Sequence, residues 1–337
     1  MAKARNKPKI PLKLRLKAWW EGYDVDDLAR VENREVNTTD HQEGSPAAET
    51  AEPPTVTPAQ QMSETNRLSD NIAILPWDDR RIGVAQLVWG EGYCGPGGPE
   101  HIKSMSKLLA MTPEMSAAVI GAGLGGPARV MADEFGVWIT GYEESPELAK
   151  RGMELSTMAG LAAKAEIINY NPRSEQPFTR RFDRAFAKET LYTVEDKSGL
   201  VRKLHDKLKD DALFLVTDYT LAGPEVLEDE NVQKWLKQET VRPYPVTAEM
   251  MAAILEKAGF MIRVNEDVSD LYIELIAKSW ENADKIAAQL ASGHGENCPE
   301  IKVLMKEAAF WSLRARLLKE KSVHVWRFLA YKPGSTG

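Results

Sequence analysis

A glycine-rich turn followed by an acidic residue is the feature of this sequence best suited to chemistry. The apolar run 117–120 breaks into three alternate glycines, Gly121, Gly123 and Gly125, and continues into a helix-like pattern that ends at Phe135. Glycines adopt backbone angles that other residues avoid, and they let a ligand lie directly against the main chain. The start of the helix adds unpaired N–H donors and a positive dipole end. We therefore predict a strand, a tight turn and a helix that together bind a ligand.

The acid that ends the next predicted strand, 137–143, indicates the kind of ligand. Glu143 lies about 20 residues beyond the first glycines, the distance at which a βαβ unit places a carboxylate on a ribose diol. A carboxylate in that position favours a nucleoside with a free ribose. Two cofactor classes fit this geometry, a dinucleotide and S-adenosylmethionine. The alternative is a structural turn with a glutamate at the surface.

Composition and charge are those of a globular protein, apart from the basic N-terminal segment. The chain has 337 residues, 43% of them hydrophobic, and a net charge of −7. No apolar run approaches the roughly 20 residues of a membrane helix, no secretory signal is expected, and the two cysteines have no metal-ligand spacing. We expect a cytoplasmic protein, and because most of the chain is acidic we expect no nucleic-acid partner.

The first 68 residues are expected to lie apart from the main body. Residues 1–30 form a basic arm in which cations alternate with leucines before Trp19 and Trp20. Residues 1–20 suit peripheral contact with an anionic inner membrane surface or a partner groove, and the alternative is a basic tail packed on the body. Residues 31–68 have almost no large apolar side chains and are predicted to be a disordered linker.

A second glycine-rich stretch precedes the glycine turn. Residues 90–100 contain so many glycines and prolines that a loop is predicted. A long loop just before a nucleotide-binding strand can close over a ligand, and Tyr93 is its natural reaching side chain. Cys94 has no base nearby in the sequence, so we expect it at most beside a ligand.

Strands alternate with helices through the rest of the chain. This alternation predicts a mostly parallel sheet with helices on both faces, whose ligands bind beyond the carboxyl ends of the strands. The predicted strands are 117–120, 137–143, 166–171, 182–187, 212–218, 260–264 and 323–330, and the predicted helices are 102–111, 128–135, 146–158, 197–208, 247–258, 271–291 and 300–319. The polar residues at or just after strand ends are Glu143, Asn171, Lys188, Glu189, Asp218 and Tyr219.

Over residues 75–333 the chain resembles the class I S-adenosylmethionine-dependent methyltransferases of the small-molecule and lipid type. The resemblance rests on residues 119–129 and 141–146, the Phe182-Asp183 entry to the fourth strand, residues 213–219 and 258–260. The leader at 88–98 is similar to that of phosphoethanolamine and sarcosine methyltransferases, and the Gly-Gly-Pro-Ala-Arg ending of the turn is similar to the sterol branch.

The resemblance implies a Rossmann-like methyltransferase fold. That fold is α/β and doubly wound, a mostly parallel seven-stranded sheet with an antiparallel last strand. The chain would add a helical insertion at 271–320 near its C-terminus and a lid-like segment at 221–246, within a methyltransferase domain at 69–337. The implied reaction is methyl transfer from S-adenosylmethionine to a small-molecule or lipid acceptor.

The resemblance also implies roles for individual residues. Those expected to bind the cofactor are Gly121, Ala122, Gly123 and Gly125 along its methionine part, Glu143 on the ribose, Asn171 near the adenine, and Lys188 beside the sulfonium. Those expected to accept a proton or orient the acceptor are Glu189, Tyr93, Tyr192 and Asp218, with His101 and Tyr219 as further candidates. No metal is expected.

Two other hypotheses remain open at this point. A non-catalytic protein that binds the cofactor or a partner as a scaffold would keep the fold without turnover. An NAD-dependent oxidoreductase would use the same glycine turn, although the turn lies more than a hundred residues into the chain and no second half of such an enzyme is evident. A nucleic-acid methyltransferase is disfavoured, because no base-flipping signature follows the fourth strand.

Overall fold

The computed structural model describes residues 75–295 and 298–334. The predicted basic arm at 1–30 and linker at 31–68 lie outside the described residues. In the described part, strands and helices alternate along the chain as the sequence predicts.

The helices and strands have the following bounds. The helices are α1 Asp79–Trp89, α2 Gly98–Ser106, α3 Gly126–Phe135, α4 Pro146–Met158, α5 Lys197–Lys207, α6 Glu230–Gln238, α7 Ala248–Lys257, α8 Ser269–Trp280, α9 Ala283–His294 and α10 Pro299–Lys319. The strands are β1 Ser116–Ile120, β2 Trp138–Glu143, β3 Ala165–Asn169, β4 Phe182–Lys188, β5 Leu208–Leu221, β6 Met261–Asp267 and β7 Val323–Tyr331. Short 3₁₀ turns lie at Lys107–Leu109, Leu191–Thr193 and Pro224–Glu228.

The seven strands form one sheet in the order β3-β2-β1-β4-β5-β7-β6. β1 pairs in parallel with β2 and β4, and β7 pairs antiparallel with both β5 and β6. The strand order reverses between β1 and its two neighbours, and open α/β sheets bind ligands at such a point, beyond the carboxyl ends of the strands. The doubly wound, mostly parallel sheet with an antiparallel last strand is therefore confirmed.

Alternate residues of the central strands enter two separate hydrophobic cores. In β1, Ala117 and Val119 pack in one core while Ala118 and Ile120 pack in the other. Because both faces of the sheet are covered, the central strands are continuous apolar runs. The glycine turn after β1 is therefore held by a rigid strand on one side and by α3 on the other.

Several predicted boundaries are wrong by a few residues. Helix α2 begins at Gly98, inside the predicted loop, because Pro99 fits its first turn. The third strand ends at Asn169, and β5 continues to Leu221, paired with β7 from Leu213 to its end. The predicted helix 271–291 is two helices, α8 and α9, which are separated at Glu281 and Asn282.

Three helices are inserted between β6 and β7. Helix α10 is the longest of the described helices and packs against α1, α6 and α8 on the side of the sheet that faces the glycine turn. The predicted helical insertion is confirmed, with bounds Ser269–Lys319. Within 75–295 and 298–334, no helix is both long and apolar enough to cross a membrane.

Candidate functional site

A cavity of about 490 Å³ lies at the carboxyl ends of β1, β2 and β4. Such a volume lies within the range of small-molecule and cofactor sites. Most of the residues predicted to act together reach its wall, namely Tyr93, Gly121, Ala122, Gly123, Glu143, Lys188, Glu189 and Tyr192. The sheet thus brings together side chains that are up to a hundred residues apart in the sequence.

The glycine turn is closely packed from both sides. Gly121, Gly123 and Gly125 all have positive φ, between 54° and 77°. A β-carbon on Gly121 would lie 1.7 Å from Oγ1 of Thr190, in the loop after β4. A β-carbon on Gly126 would lie 2.5 Å from the carbonyl oxygen of Gly92. The turn therefore requires glycine for its backbone angles and for the close approach of the two neighbouring loops.

This packing predicts that Gly121→Ala is destabilising beyond the ordinary cost of a left-handed alanine. Gly160 is the matched control, because its φ of 71° is similar and a β-carbon there would contact nothing within 4 Å. We expect thermal or urea unfolding to show Gly121→Ala less stable than Gly160→Ala by about 1–3 kcal/mol, the cost of overpacking. Equal losses for the two variants would show that the loop after β4 moves aside freely.

The glycine turn fixes the side chain of Glu143, which was predicted to bind a ribose beside that turn. Its Oε2 accepts a hydrogen bond from the Gly123 N–H at 2.7 Å, and its Oε1 accepts one from the Ser145 N–H at 2.9 Å. The side chain is buried but reaches the cavity wall. Burial raises the pKa of Glu143, and the two backbone donors oppose that rise. The carboxylate is thus fixed in orientation at the end of β2.

The glycine-rich loop before α2 lies against the glycine turn, and its contact with a ligand stays a prediction. The N–H of Gly126 donates to the carbonyl of Gly92 at 3.0 Å, which places the loop against the start of α3. The Tyr93 ring lies against this contact, and its buried hydroxyl has no hydrogen-bond partner. Burial raises the pKa of Tyr93. A buried hydroxyl without a partner on a cavity wall is suited to a polar ligand.

Lys188 and Glu189 form an ion pair at the end of β4. The Lys188 ammonium donates to Oε1 of Glu189, and the two side chains are 11% and 10% exposed. Glu189 has a φ of 52°, and its N–H donates to the Thr217 carbonyl at 2.7 Å. A non-glycine residue in the left-handed region costs on the order of 1 kcal/mol, and such residues concentrate at functional sites. The backbone of Glu189 therefore has an unfavourable conformation, and in that conformation the carboxylate lies on the cavity wall.

Tyr192 belongs to a buried aromatic cluster rather than to an open edge of the cavity. Its hydroxyl accepts a hydrogen bond from Arg314 at 2.9 Å, and its ring stacks on Trp235 with centroids 6.0 Å apart. Burial raises the pKa of Tyr192 well above its usual value. At neutral pH this hydroxyl orients Arg314 and does not act as a base.

Three predicted residues do not reach the cavity wall. Asn171 lies two residues beyond β3 and accepts from the Arg173 N–H at 2.9 Å. Asp218 is fully buried on the opposite face of the sheet, where burial raises its pKa and nearby Lys197 opposes that rise. Gly125 caps the start of α3. The geometry thus assigns none of these three a contact with a ligand in this cavity.

Of the further candidates, His101 and Tyr219 also lie behind the wall. Burial and the positive charge of Lys188 lower the pKa of His101 to about 4, so the imidazole is neutral at physiological pH. Its Nε2 is buried without a partner. Tyr219 lies under Arg314, with the guanidinium carbon 4.8 Å from its ring centroid.

The wall opposite the glycine turn was not predicted from the sequence. The residues that build it come from the start of α1, the segment after α6 and the inward face of α10: Trp77, Arg81, Glu239, Thr240, Glu307, Phe310, Trp311 and Arg314. One signal was available, because Glu307 and Arg314 are two helical turns apart in an otherwise apolar stretch and so share one face of α10. Charged residues on the buried face of a helix are paired or bind a ligand.

Comparisons with known proteins agree with this fold. Residues 120–263 match the model of a methyltransferase domain family. The phosphoethanolamine N-methyltransferase of Triticum aestivum is 24% identical over 212 residues, which cover 63% of this chain and 41% of that protein. The corresponding enzyme of Plasmodium falciparum is 25% identical over 204 residues, which cover 59% of this chain and 74% of that protein.

A solved structure has a similar fold. Phosphoethanolamine N-methyltransferase 2 of Haemonchus contortus, in complex with S-adenosyl-L-methionine, matches with a TM-score of 0.66 and 20% identity over 77% of this chain and 58% of that one. This likeness shows the fold. The described chain therefore shares the fold of this structure, and residues 120–263 match the methyltransferase domain model.

Proposed function

We propose that this chain, a class I S-adenosylmethionine-dependent methyltransferase by its fold and its domain match, transfers a methyl group from that cofactor to a small-molecule acceptor. The observation that carries the proposal is the carboxylate of Glu143, fixed by the glycine turn on the wall of a 490 Å³ cavity. The chain spans 41% of the Triticum aestivum relative, and therefore the activity is inferred from this site.

The residues present fit the cofactor. A carboxylate offers about four acceptor positions, so Glu143 can hold the turn and still accept hydrogen bonds from ribose hydroxyls. Gly121 and Gly123 line the cavity, and because they carry no side chain a ligand can lie directly against their main chain. The partnerless hydroxyl of Tyr93 lies on the same wall. These groups suit a molecule that is part nucleoside and part amino acid.

When bound, the cofactor supplies a methyl group on a positively charged sulfur, so the reaction needs alignment more than acid or base strength. Glu189 takes the proton that an amine or hydroxyl acceptor loses when its lone pair forms the new bond to carbon. Lys188 holds the Glu189 carboxylate toward the wall. Tyr93 orients the acceptor or the cofactor by hydrogen bonding, and the covering loop around it excludes water.

Finer features of the function are part of the same proposal. A lipid acceptor and peripheral membrane contact through residues 1–20 fit the basic arm of the sequence, and the acidic body gives no support for a nucleic-acid substrate. Residues 239–241 of the predicted lid line the cavity, which supports a role for the 221–246 segment in covering the acceptor.

A transfer assay tests the proposal. The purified full chain would be incubated with S-adenosylmethionine labelled in its methyl group and with ethanolamine, sarcosine, tyramine, phosphoethanolamine or lipid vesicles that contain ethanolamine headgroups. We expect label in at least one acceptor, together with stoichiometric S-adenosylhomocysteine. Cofactor binding without label in any acceptor would favour the scaffold hypothesis.

A further inference from the structure

The cations on the cavity wall are already neutralised by the chain itself. Of the described residues, three cations line the cavity, Arg81, Lys188 and Arg314, and each forms an ion pair with a carboxylate that lines it too. The partners are Glu307, Glu189 and Glu239, respectively. All six side chains are between 5% and 11% exposed, so water screens these pairs little.

Arg314 is the most firmly held of the three. Its guanidinium donates to Oε1 of Glu239 and to the Tyr192 hydroxyl. The guanidinium carbon also lies 4.4 Å from the Phe310 ring centroid and 4.6 Å from that of Trp311. Stacking and hydrogen bonds therefore fix the plane of the guanidinium. Both hydrogen bonds come from the same terminal nitrogen, and Nε of Arg314 is buried without a partner, so Glu239 neutralises the charge of the guanidinium without using all of its donors.

Glu239 is also held by a second donor, on the same oxygen that accepts from Arg314. The indole N–H of Trp235 donates to its Oε1 at 2.6 Å. Trp235 is fully buried on α6, so the carboxylate has a rigid neighbour that is not a ligand. Glu239 is thus a fixed anion beside Arg314 and a permanent part of the wall.

Arg81 is arranged in the same way. Its Nε donates to Oε1 of Glu307 at 2.6 Å, and one of its terminal nitrogens donates to Oγ1 of Thr240 at 2.7 Å. Oε2 of Glu307 accepts from the Trp311 indole at 3.2 Å. The two arginine pairs lie on one wall, where Trp311 contacts both Glu307 and Arg314, and where Glu239 and Thr240 are consecutive residues after α6.

The remaining charge on the wall is negative. Glu143, Glu144 and Glu147 also line the cavity, so that six carboxylates face three cations among the described residues. A phosphate monoester carries close to two negative charges at neutral pH. Burying such a group without an available cation is costly, because its lost hydration is not replaced.

We propose that the acceptor of this site carries no phosphate group, and that Glu239 disfavours phosphorylated amines by neutralising the charge of Arg314. The inference rests on the proposed function and specifies its substrate class as an uncharged or cationic molecule. The relatives reported above are named for phosphoethanolamine. This chain therefore differs from those enzymes in the acceptor, while the fold is shared.

The test is a titration of phosphoethanolamine into the full chain that has first been saturated with S-adenosylhomocysteine. We expect no saturable binding to the wild type at concentrations up to about 1 mM, the range of weak ligands. In Glu239→Gln the charge of Arg314 is no longer neutralised, so the guanidinium attracts a phosphate, while the amide oxygen can still accept from Trp235. We expect Glu239→Gln to bind phosphoethanolamine at least about tenfold more tightly than the wild type, a difference of 1.4 kcal/mol.

Glu256→Gln is the matched control, since it removes one negative charge from an exposed position away from the cavity. We expect it to behave as the wild type. Saturable binding of phosphoethanolamine to the wild type below 1 mM would overturn the inference, and the wild-type titration decides this even where Glu239→Gln fails to fold. A folded Glu239→Gln that gains no affinity would also overturn it. Absence of S-adenosylhomocysteine binding in the first step would count against the proposed function instead.

Discussion

Replacing Glu143 by alanine is expected to weaken the binding of S-adenosylhomocysteine about 100-fold. Two hydrogen bonds from ribose hydroxyls to a carboxylate are worth roughly 1.5 kcal/mol or more each, and about 3 kcal/mol corresponds to that factor. The loss includes any loosening of the turn, because the carboxylate also accepts the N–H groups of Gly123 and Ser145. Calorimetric titration of the purified variant measures the effect directly.

Glu144→Ala is the matched control for this prediction. Glu144 is the adjacent carboxylate, lies at the same cavity, and pairs with Arg173 at 3.2 Å on the surface. Glu144→Ala removes the same charge as Glu143→Ala but keeps the carboxylate that the turn fixes. We therefore expect its affinity for S-adenosylhomocysteine to be within about threefold of the wild type, a difference of less than 1 kcal/mol. Wild-type affinity in a folded Glu143→Ala would show that the cofactor does not contact this residue.

The second large effect is expected for Glu189→Gln. The amide keeps the size of the side chain but cannot take a proton from the acceptor, and loss of such a group typically costs about 10²–10⁴ in rate. We expect kcat for the best acceptor of the transfer assay to fall by that range, with S-adenosylhomocysteine affinity nearly unchanged. Steady-state kinetics and calorimetry on one preparation separate the two effects.

Glu195→Gln provides the comparison. Glu195 follows Glu189 by six residues, is exposed, and does not line the cavity. Its kcat should equal that of the wild type. If Glu189→Gln retained full kcat, Glu189 would not be the proton acceptor. Water would take the proton, or the acceptor would react without losing one to the protein, and the ion pair with Lys188 would be structural.

The glycine-turn half of the site could be predicted from the sequence because its determinants are local. The strand, the turn, the start of α3 and Glu143 lie within one βαβ unit, and each leaves a signal in residue type or spacing. The side of β5 on which a residue lies could not be predicted in this way. Asp218 and Tyr219 are neighbours on opposite faces of a strand that is buried on both, and such a strand has no alternation of apolar and polar residues to indicate its faces.

The opposite wall could not be predicted, because its contacts join distant parts of the chain. Arg81 and Glu307 are 226 residues apart and meet only when α10 packs on α1. The polar residues of α10 indicated a buried charged face, but they did not indicate its partners. Asn171 lies outside the cavity since β3 ends two residues earlier than the predicted strand. A role for it at the adenine stays a prediction.

The most direct test of the account is calorimetric titration of the full chain with S-adenosylmethionine, S-adenosylhomocysteine and NAD in parallel. We predict saturable, one-site binding of both S-adenosyl compounds and none of NAD, with the affinity for the S-adenosyl compounds about 100-fold weaker in Glu143→Ala. Heat of binding from NAD alone would favour the hypothesis that the glycine turn belongs to an NAD-dependent oxidoreductase. Absence of binding by either S-adenosyl compound would contradict the central claim that Glu143 and the glycine turn hold this cofactor.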